Sequence, residues 1–179
     1  MGNSKTLYLA VDPGFSGKCA ISYSGNVRIF DCPEDVRGMA ILFKKIMKKF
    51  KPISEKIVIG IEFVHATPLF GVKGCWVLGG NYYAWEMAFS MYNLSFITVP
   101  PKKWQELIMH EKSAMTEVKM KNGKIKQKYD IKEKSWRGAR KLFPQLADKL
   151  GDKVPKKTSK QSNYADTLCI LAWLMKEYS

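Results

Sequence analysis

The sequence has 179 residues, of which 46% are hydrophobic and 12% aromatic, a composition that excludes a disordered chain and fits a single domain over residues 1–179. Its formal net charge is +14. The segment Lys102–Lys160 holds 18 Lys or Arg against 7 Asp or Glu and so contributes 11 of these 14 positive charges. Clustered positive charge is typical of proteins that bind a nucleic-acid backbone, although a lysine-rich surface or attraction to anionic lipid gives the same composition. The longest apolar run, Ala165–Met175, is too short to cross a bilayer, so no membrane partner is expected.

The four cysteines predict an intracellular, reducing compartment. They are scattered without a CxxC pair, which favours free thiols over a zinc site or a disulfide framework. The first residues, MGNSK, lead straight into a predicted strand and contain no signal-peptide core. Compact size and lysine richness favour a phage or other viral origin, with the protein in the cytoplasm of an infected cell.

In chain order, the first half of the sequence predicts three strands, a helix and a fourth strand. These elements are Thr6–Val11, Lys18–Tyr23, Val27–Phe30, the helix Pro33–Phe50 and the strand Ile57–Ile61. The turn Ser24-Gly25-Asn26 joins the second and third strands. The helix places its apolar residues on one side and Lys44, Lys45, Lys48 and Lys49 on the other.

The second half predicts helices that alternate with single strands, and one unusual insertion. The elements are the helix Val77–Asn93, the strand Ser95–Val99, the short helix Lys102–Met109, the helix Ile131–Leu150 interrupted by Pro144, and the closing helix Gln161–Tyr178. Between residues 115 and 130, MTEVKMKNGKIKQKYD predicts an inserted basic β-hairpin, because Asn122-Gly123 favours a type I′ turn. This order of elements favours an α/β fold with a central mixed sheet flanked by helices.

Three carboxylates stand at the ends of apolar segments that are far apart in the sequence. Asp12 ends the strand LYLAVD before a glycine-rich turn, Glu62 ends the strand IVIGIE, and Asp166 opens the helix in NYADTLCILAWL. Singly, they are explained as a group that satisfies turn amides, an exposed strand end and a helix-start stabiliser. Together they predict a site for Mg²⁺, with Mn²⁺ as a substitute, because clustered carboxylates repel one another unless hard cations neutralise them.

The stretches LAVDPG, IGIEFV and NYADTLCILAWL resemble, in order and spacing, the three acidic motifs of RuvC-type Holliday-junction resolvases, which belong to the RNase H-like nuclease superfamily. The segment LGGNYYAWEMAF is similar to a glycine-led helix that forms much of the dimer interface in that family. KSWRGARKLFP resembles the basic helix before the last motif. The resemblance extends over residues 6–178 and implies an RNase H-like fold with a five-stranded mixed sheet.

The resemblance implies a homodimeric endodeoxyribonuclease that resolves four-way DNA junctions by paired symmetric nicks, leaving 5′-phosphate and 3′-hydroxyl ends. It implies two ions in each active site. Asp12 is expected to bridge both ions, Glu62 and Asp166 to hold one each, and Asn163 to assist. These four residues are the predicted catalytic and metal-binding set.

Two features depart from the family pattern. The family usually carries Asp or His three positions before the last Asp, and this position is Asn163 here. Asn163 is either a weaker oxygen ligand or the N-cap of the closing helix, and the two roles are compatible. The basic hairpin, with Lys121 and Lys124 beside its turn, has no counterpart in the bacterial enzymes. We expect it to contact DNA arms, with a protein partner as the alternative.

Further side chains are predicted to contact DNA. They are Phe63, His65, Phe70, Lys121, Lys124, Lys132, Lys134, Arg137, Arg140 and Lys141. The three aromatic residues follow the second acidic motif, where family members place a wedge at the junction centre. The two lysines at 132 and 134 fall near a family lysine close to the active site. The alternatives are an ordinary loop histidine and a solvated helix surface.

The large aromatic residues divide into two predicted groups. Three are expected in the core: Trp104, Trp136 and Trp173. Four in the second helix or directly before it are expected in the core or at a dimer interface: Trp76, Tyr82, Tyr83 and Trp85.

Other functions remain open. One is a broader flap or fork endonuclease, or a transposase-like core, on the same fold, because active-site residues do not separate these activities. A second is a junction-binding protein with weak or no catalysis. A third, an ATP-using protein of the wider fold, would need a second lobe and phosphate-binding loops that this sequence lacks.

Overall fold

The structure, a computed structural model, describes residues 5–65, 67–111, 115–119, 125–156 and 160–179, with only the backbone given for 69, 115–119, 125–128, 160 and 161. The strands are β1 Thr6–Asp12, β2 Lys18–Tyr23, β3 Asn26–Asp31, β4 Lys56–Glu62, β5 Ile97–Val99, β6 Met115–Lys119 and β7 Ile125–Tyr129. The helices are α1 Val36–Phe50, α2 Gly71–Met91, α3 Pro101–Glu106, α4 Ile131–Leu142, α5 Ala147–Leu150 and α6 Lys160–Tyr178.

Five strands form one mixed sheet in the order β3-β2-β1-β4-β5, and β6 and β7 pair antiparallel as a separate hairpin. β1 is antiparallel to β2 and parallel to β4, and β5 runs parallel to β4. The predicted five-stranded mixed sheet is therefore confirmed. Because β1, β4 and β5 run in the same direction, their last residues emerge together, at what we name the carboxyl end of the sheet.

Alternate residues of the central strand enter two separate cores. Leu7, Leu9 and Val11 pack with α1 and α2 on one face of the sheet. Tyr8 and Ala10 pack on the other face with α3, α4, α5 and α6. Successive side chains of a strand point to opposite faces, and both faces are covered here, so β1 is apolar almost throughout.

Several element boundaries differ from the predicted ones. α2 begins at Gly71, six residues before the predicted start, because a 3₁₀ turn at Pro68–Phe70 leads directly into it and Gly71 adopts a φ of 63°. The glycines of this segment weaken the helical signal in the sequence. α3 ends at Glu106 rather than at Met109. In the hairpin, both strands are confirmed, whereas Asn122-Gly123 lies outside the described residues.

The aromatic residues divide largely as predicted. Trp104 and Trp136 are buried in one core, with Trp173 partly buried against it, and Trp85 is buried in the other. Trp76 and Tyr83, by contrast, project from α2 into solvent. Within the described residues, no helix has the length and apolar character needed to span a membrane.

Candidate active site

The parallel pairing of β1 and β4 brings two of the predicted acids together. Val11 lies opposite Ile61 in this pairing, and Asp12 and Glu62 are the next residues on their strands. Neighbouring strands lie about 4.8 Å apart, so the two carboxylates emerge side by side at the carboxyl end of the sheet. This juxtaposition follows from the strand register alone.

The turn after β1 is built on glycines that approach other backbone atoms closely. The amide of Gly14 donates a hydrogen bond of 2.9 Å to Asp12 Oδ1, and the amide of Gly17 donates one of 2.9 Å to the Gly14 carbonyl. A Cβ atom at Gly17 would lie 2.5 Å from the Asp12 carbonyl oxygen. The turn therefore requires glycine at position 17 and fixes the orientation of the Asp12 side chain.

The third acid reaches this site from α6, which packs across the sheet. Asp166 is only 5% exposed, and one of its carboxylate oxygens forms an ion pair with Lys132 of α4. The other, Oδ1, is buried and accepts no well-formed hydrogen bond in the described part of the chain, although the Ser135 hydroxyl lies close enough to Asp166 to lower its pKa. α6 begins by Lys160, so Asp166 lies in the second turn of the helix and not in the first as predicted. A role at the helix start is therefore wrong, because the helix dipole acts mainly within the first turn.

All three carboxylates have a raised affinity for protons, mainly because they are shielded from solvent. Burial raises the pKa of Glu62 to about 8, and the nearby charge of Asp12 adds to this effect. Burial also raises the pKa of Asp12, with a smaller upward contribution from Asp166. The pKa of Asp166 is raised by burial despite the ammonium group of Lys132, which lowers it. Such a cluster favours either protons or cations.

Trp104, which the sequence predicts only as a core residue, also contacts the site. Its indole N–H donates a hydrogen bond of 2.8 Å to Glu62 Oε1. Trp104 lies on α3, directly after β5, and is almost fully buried. It therefore holds one oxygen of Glu62 in place. The sequence contains no signal for this contact, because it joins residues that are 42 positions apart.

Asn163 is not the N-cap of α6, because the described helix already includes Lys160. Its side-chain N–H instead donates a hydrogen bond of 3.3 Å to the carbonyl of Ser16, in the turn after β1. The buried Lys18 donates to the same carbonyl at 2.6 Å. Asn163 thus links α6 to the turn that carries Asp12. Lys18 stabilises the same turn, a role that the sequence did not indicate.

Of the two lysines predicted near the acids, only one lies there. Lys132 contacts Asp166, as described above. Lys134 is 4% exposed, and its ammonium group donates a hydrogen bond of 2.5 Å to the Met109 carbonyl and lies over the ring of Tyr129. Lys134 is therefore enclosed by the protein and not placed to contact DNA, and its predicted DNA contact stays an untested prediction.

The basic residues of α4 line an open hollow of about 590 Å³. Arg137 pairs with Glu133 and Lys141 with Glu111, and both cations remain exposed. Arg140 is half-buried and donates hydrogen bonds to the carbonyls of Ala147 and Gly151. Its guanidinium group thus stabilises the chain after α4, so that a DNA contact is better suited to Arg137 and Lys141.

The predicted aromatic wedge residues are exposed beyond the end of β4. Phe63 packs edge-on against His65 with ring centroids 4.8 Å apart. Phe70 packs against Phe15, which lies in the turn after Asp12, at 6.0 Å. Phe15 was not predicted as a site residue, although an aromatic side chain in a glycine-rich turn is a signal that could have indicated it. Lys121 and Lys124 lie outside the described residues.

The site fits a divalent cation, although it is not preformed for one. Among the described residues, no three His, Cys, Asp or Glu side chains converge as a ready cation site. The oxygen of Asp166 that accepts no well-formed hydrogen bond and the mutual repulsion of the acids nevertheless match the hard-oxygen donor set that Mg²⁺ and Mn²⁺ prefer. The ammonium group of Lys132 occupies the place of a cation beside Asp166.

No protein-family model matches the sequence, and no curated protein sequence matches it either. Among solved structures, T. thermophilus RuvC in complex with a Holliday junction substrate is similar with a TM-score of 0.58 and 10% identity, over 97% of this chain and 96% of that chain. A second Thermus thermophilus RuvC structure has a TM-score of 0.53 and 12% identity, over 96% of each chain. The yeast mitochondrial Holliday junction resolvase Ydc2 has a TM-score of 0.48 and 15% identity, over 98% of this chain and 82% of its own. The likeness to RuvC confirms the predicted RNase H-like fold.

Proposed function

We propose that this protein is a divalent-cation-dependent endonuclease that resolves four-way DNA junctions by paired, symmetric nicks. The observation that carries the proposal is that Asp12 and Glu62 end neighbouring strands at the carboxyl end of an RNase H-like sheet, with Asp166 close enough to raise the pKa of both. A buried carboxylate oxygen without a well-formed hydrogen bond is costly unless a ligand completes it. The structure of RuvC with a junction substrate supports four-way DNA as the ligand class.

Four side chains would hold the ions. Asp12 would contact both, Glu62 and Asp166 one each, and Asn163 would add its amide oxygen while its N–H group remains on Ser16. When bound, two Mg²⁺ or Mn²⁺ ions supply Lewis-acid polarisation of the phosphodiester and a water that is nucleophilic at neutral pH. Glu62 would keep its orientation through Trp104.

The protein's own groups would position the DNA strand for hydrolysis. The water oxygen bonds to phosphorus, the bond between phosphorus and the 3′-oxygen breaks, and a proton from the water ends on that 3′-oxygen. Lys132, released from Asp166, would place a positive charge beside the phosphate. The rigid turn at Gly14 and Gly17 would keep Asp12 in a fixed orientation during this step.

Paired nicks require two active sites, and α2 offers a surface for a homodimer. A line of apolar side chains runs along its exposed side, including Val72 at 91% exposure and Trp76 at 82%. Tyr83, Met87 and Met91 continue this line toward the end of the helix. An exposed apolar strip of this length favours burial against a second copy. A two-fold dimer would present two sites to strands of like polarity.

A second candidate is a junction-binding protein with weak catalysis. Within the described residues, no preformed group of three cation ligands is present, and Lys132 neutralises Asp166. Asn163 also lacks the charge that a carboxylate would supply. This arrangement favours DNA binding that depends little on divalent ions.

The test is to incubate the protein with a labelled four-way junction, a linear duplex, a flap and a fork, each with Mg²⁺, Mn²⁺ or EDTA. Symmetric, metal-dependent nicking of the junction is expected for the protein and not for Asp12→Asn. Asp148→Asn, which alters an exposed carboxylate on α5, serves as the matched control and should nick normally.

The other outcomes separate the alternatives. Equal cutting of flaps and forks would replace junction resolution by a broader branched-DNA activity. Tight junction binding without cutting under any metal would favour the second candidate, and Asn163→Asp would then be the variant to assay. Absence of binding to all four DNAs would overturn the proposal.

A further inference from the structure

A second concentration of charge lies on α1, which the proposed reaction does not use. Residues 36–51 contain six Lys or Arg and no Asp or Glu. Four of these, Lys44, Lys45, Lys48 and Lys49, are exposed together on one side of the helix. We name them the lysine face. The net charge of the first half of the chain does not reveal this group, because acidic residues elsewhere in that half offset its positive charge.

The packing of α1 determines which way these lysines point. Its apolar side is buried against the sheet and α2 through Met39, Phe43, Ile46, Met47 and Phe50. The four lysines, which are one, four and five positions apart, therefore share the opposite, outward side. The surface continues toward β3, where Arg28 and Lys49 line the same hollow.

The lysine face lies toward the end of the sheet opposite to the carboxylates. β3 ends at Asp31, which is paired with Lys18 beside Asp12, so α1 starts near the carboxyl end. At the other end of α1, Phe50 packs on Tyr23 with ring centroids 5.5 Å apart. With a rise of 1.5 Å per residue, the lysine face occupies roughly 12–20 Å along α1 from its first residue.

These four lysines carry charge that the protein does not neutralise. Within the described part of the chain, none of them forms an ion pair, whereas Lys5, Lys18, Lys132 and Lys141 each do. Lysines four positions apart on a helix repel one another. A polyanion bound along the helix would relieve this repulsion.

The chemistry of the surface favours duplex DNA over other polyanions. Ammonium groups are compact charges that suit phosphate oxygens. The nearby rings of Phe50 and Tyr92 lie under the ammonium groups of Lys49 and Lys51, at 5.4 and 5.9 Å, and are not available for base stacking as single strands require. α1 exposes two large apolar side chains, Val36 and Ile41, but its continuous apolar side is buried in the core, so it lacks the broad apolar face with which a helix enters a lipid surface.

We propose that the lysine face binds the phosphate backbone of a duplex arm, away from the site of cleavage. This inference rests on the proposed function, because the arm belongs to the same branched substrate. Contacts of this kind carry no sequence preference and act through affinity, not through the rate of cleavage.

The test compares K44Q/K45Q/K48Q/K49Q with K149Q/K153Q/K156Q/K176Q, which removes the same charge from exposed lysines on the α5–α6 side. Binding to a junction with arms of about 25 base pairs is followed by fluorescence anisotropy in EDTA, between about 50 and 200 mM salt. For the lysine-face variant we expect affinity to fall about tenfold or more and the slope of log K against log salt to shrink by about 2 to 4. The control variant should lose markedly less in both measures.

A photo-crosslinking residue in place of Lys48 locates the contact independently. We expect crosslinks to nucleotides of the duplex arm and not to those at the crossing point. Crosslinks at the crossing point itself, or equal salt slopes for the two quadruple variants, would overturn the inference. The inference would also be overturned if the lysine-face variant kept its affinity for DNA and lost binding to phosphatidylserine vesicles.

The same binding experiment with an unbranched duplex separates this inference from the proposed function. If the protein binds junction and duplex equally and cuts neither, the proposed function fails. The lysine-face variant should still bind the duplex more weakly than its control, and a difference of this kind would support the phosphate contact by itself.

Discussion

The carboxyl end of the sheet and the lysine face carry charge in opposite ways. At the carboxyl end the charged groups are few and buried or half-buried, and they are held by specific partners, as Asp166 is by Lys132 and Glu62 by Trp104. On the lysine face the charges are adjacent, exposed and, within the described residues, without a carboxylate partner. Buried charge is costly and is useful where it contacts reacting atoms, whereas exposed charge costs little and provides salt-dependent affinity.

Under the proposed function, catalysis and the binding of duplex arms belong to separate parts of this fold. A substitution at the carboxyl end should alter cleavage and cation binding while DNA affinity persists. A substitution on the lysine face should do the reverse.

The largest effect is expected for Asp166→Asn. Losing one carboxylate of the cation site should slow junction nicking by about a thousandfold or more, because the bound ions supply most of the rate enhancement. Junction affinity in EDTA should change by no more than about twofold, since no cation is removed. Nicking is measured on gels and affinity by anisotropy, with Glu177→Gln as an exposed control. A parallel loss of rate and affinity would contradict the separation.

The pH dependence of cation binding should come next in size. Glu62 has a pKa of about 8, above that of an ordinary carboxyl group, so protons compete with the cation below this pH. Mg²⁺ affinity should rise by about tenfold per unit from roughly pH 6 and level off near pH 8. Calorimetric titration at several pH values measures this rise. The lysine-face variant should show the same pH profile of Mg²⁺ affinity. A different profile would show that the two regions are coupled.

The same pKa predicts how the metal-free protein responds to pH. The folded state keeps a proton on Glu62 that the unfolded state releases near pH 4.5. This proton favours folding at low pH, and its contribution is lost as the pH rises through about 8. Thermal unfolding in EDTA should therefore show a falling midpoint over this range, and Glu62→Gln should reduce the fall. An unchanged slope in that variant would assign the effect to another group.

Trp104→Phe tests whether the indole orients the cation site. Removing the partner of a metal ligand typically weakens metal affinity or activity about 10- to 100-fold. We expect weaker Mg²⁺ binding in calorimetry and slower nicking at low Mg²⁺, with part of the rate recovered at high Mg²⁺. Trp173→Phe, at a residue partly buried against the same core, is the matched control. Equal losses in both variants would indicate a packing effect only.

Trp76→Glu should separate the two copies of the proposed dimer. Loss of a central aromatic anchor costs about 2 kcal/mol or more, so self-association should weaken roughly thirtyfold, as measured by sedimentation. Paired nicks should become independent single nicks, while the salt slope per chain remains. Val154→Glu, an exposed apolar position away from α2, is the control. A variant that still nicks both strands together would place the dimer surface elsewhere.

The smallest effect is expected for Lys134→Met. This lysine is enclosed and donates to the Met109 carbonyl, so its removal should leave junction affinity within about twofold. Lys141→Met, an exposed neighbour on α4, should weaken binding and reduce the salt slope by about 1. Anisotropy over the same salt range compares them. A larger loss for Lys134→Met would show that this side chain leaves its buried position when DNA binds.

Much of the fold and part of the site could be predicted from the sequence. The strand ends at Asp12 and Glu62 were identified because apolar runs followed by glycine or polar residues mark where a buried strand stops. Their proximity followed from the parallel pairing that such buried runs favour. The five-stranded sheet was expected for the same reason and from the resemblance of the three acidic motifs. These features depend on local pattern and on a small set of topologies.

The partners of those acids were decided only by the tertiary structure. Lys132 and Lys134 are both lysines near the start of α4, yet residues two apart on a helix point about 200° away from each other. One therefore meets Asp166 and the other turns into the core, and only the packing of α4 against α6 decides which. The hydrogen bonds from Trp104 to Glu62 and from Asn163 to Ser16 likewise join elements distant in the chain. Periodicity shows which side of a helix is apolar, whereas a polar contact depends on how two elements are oriented in space, which no local pattern of residues contains.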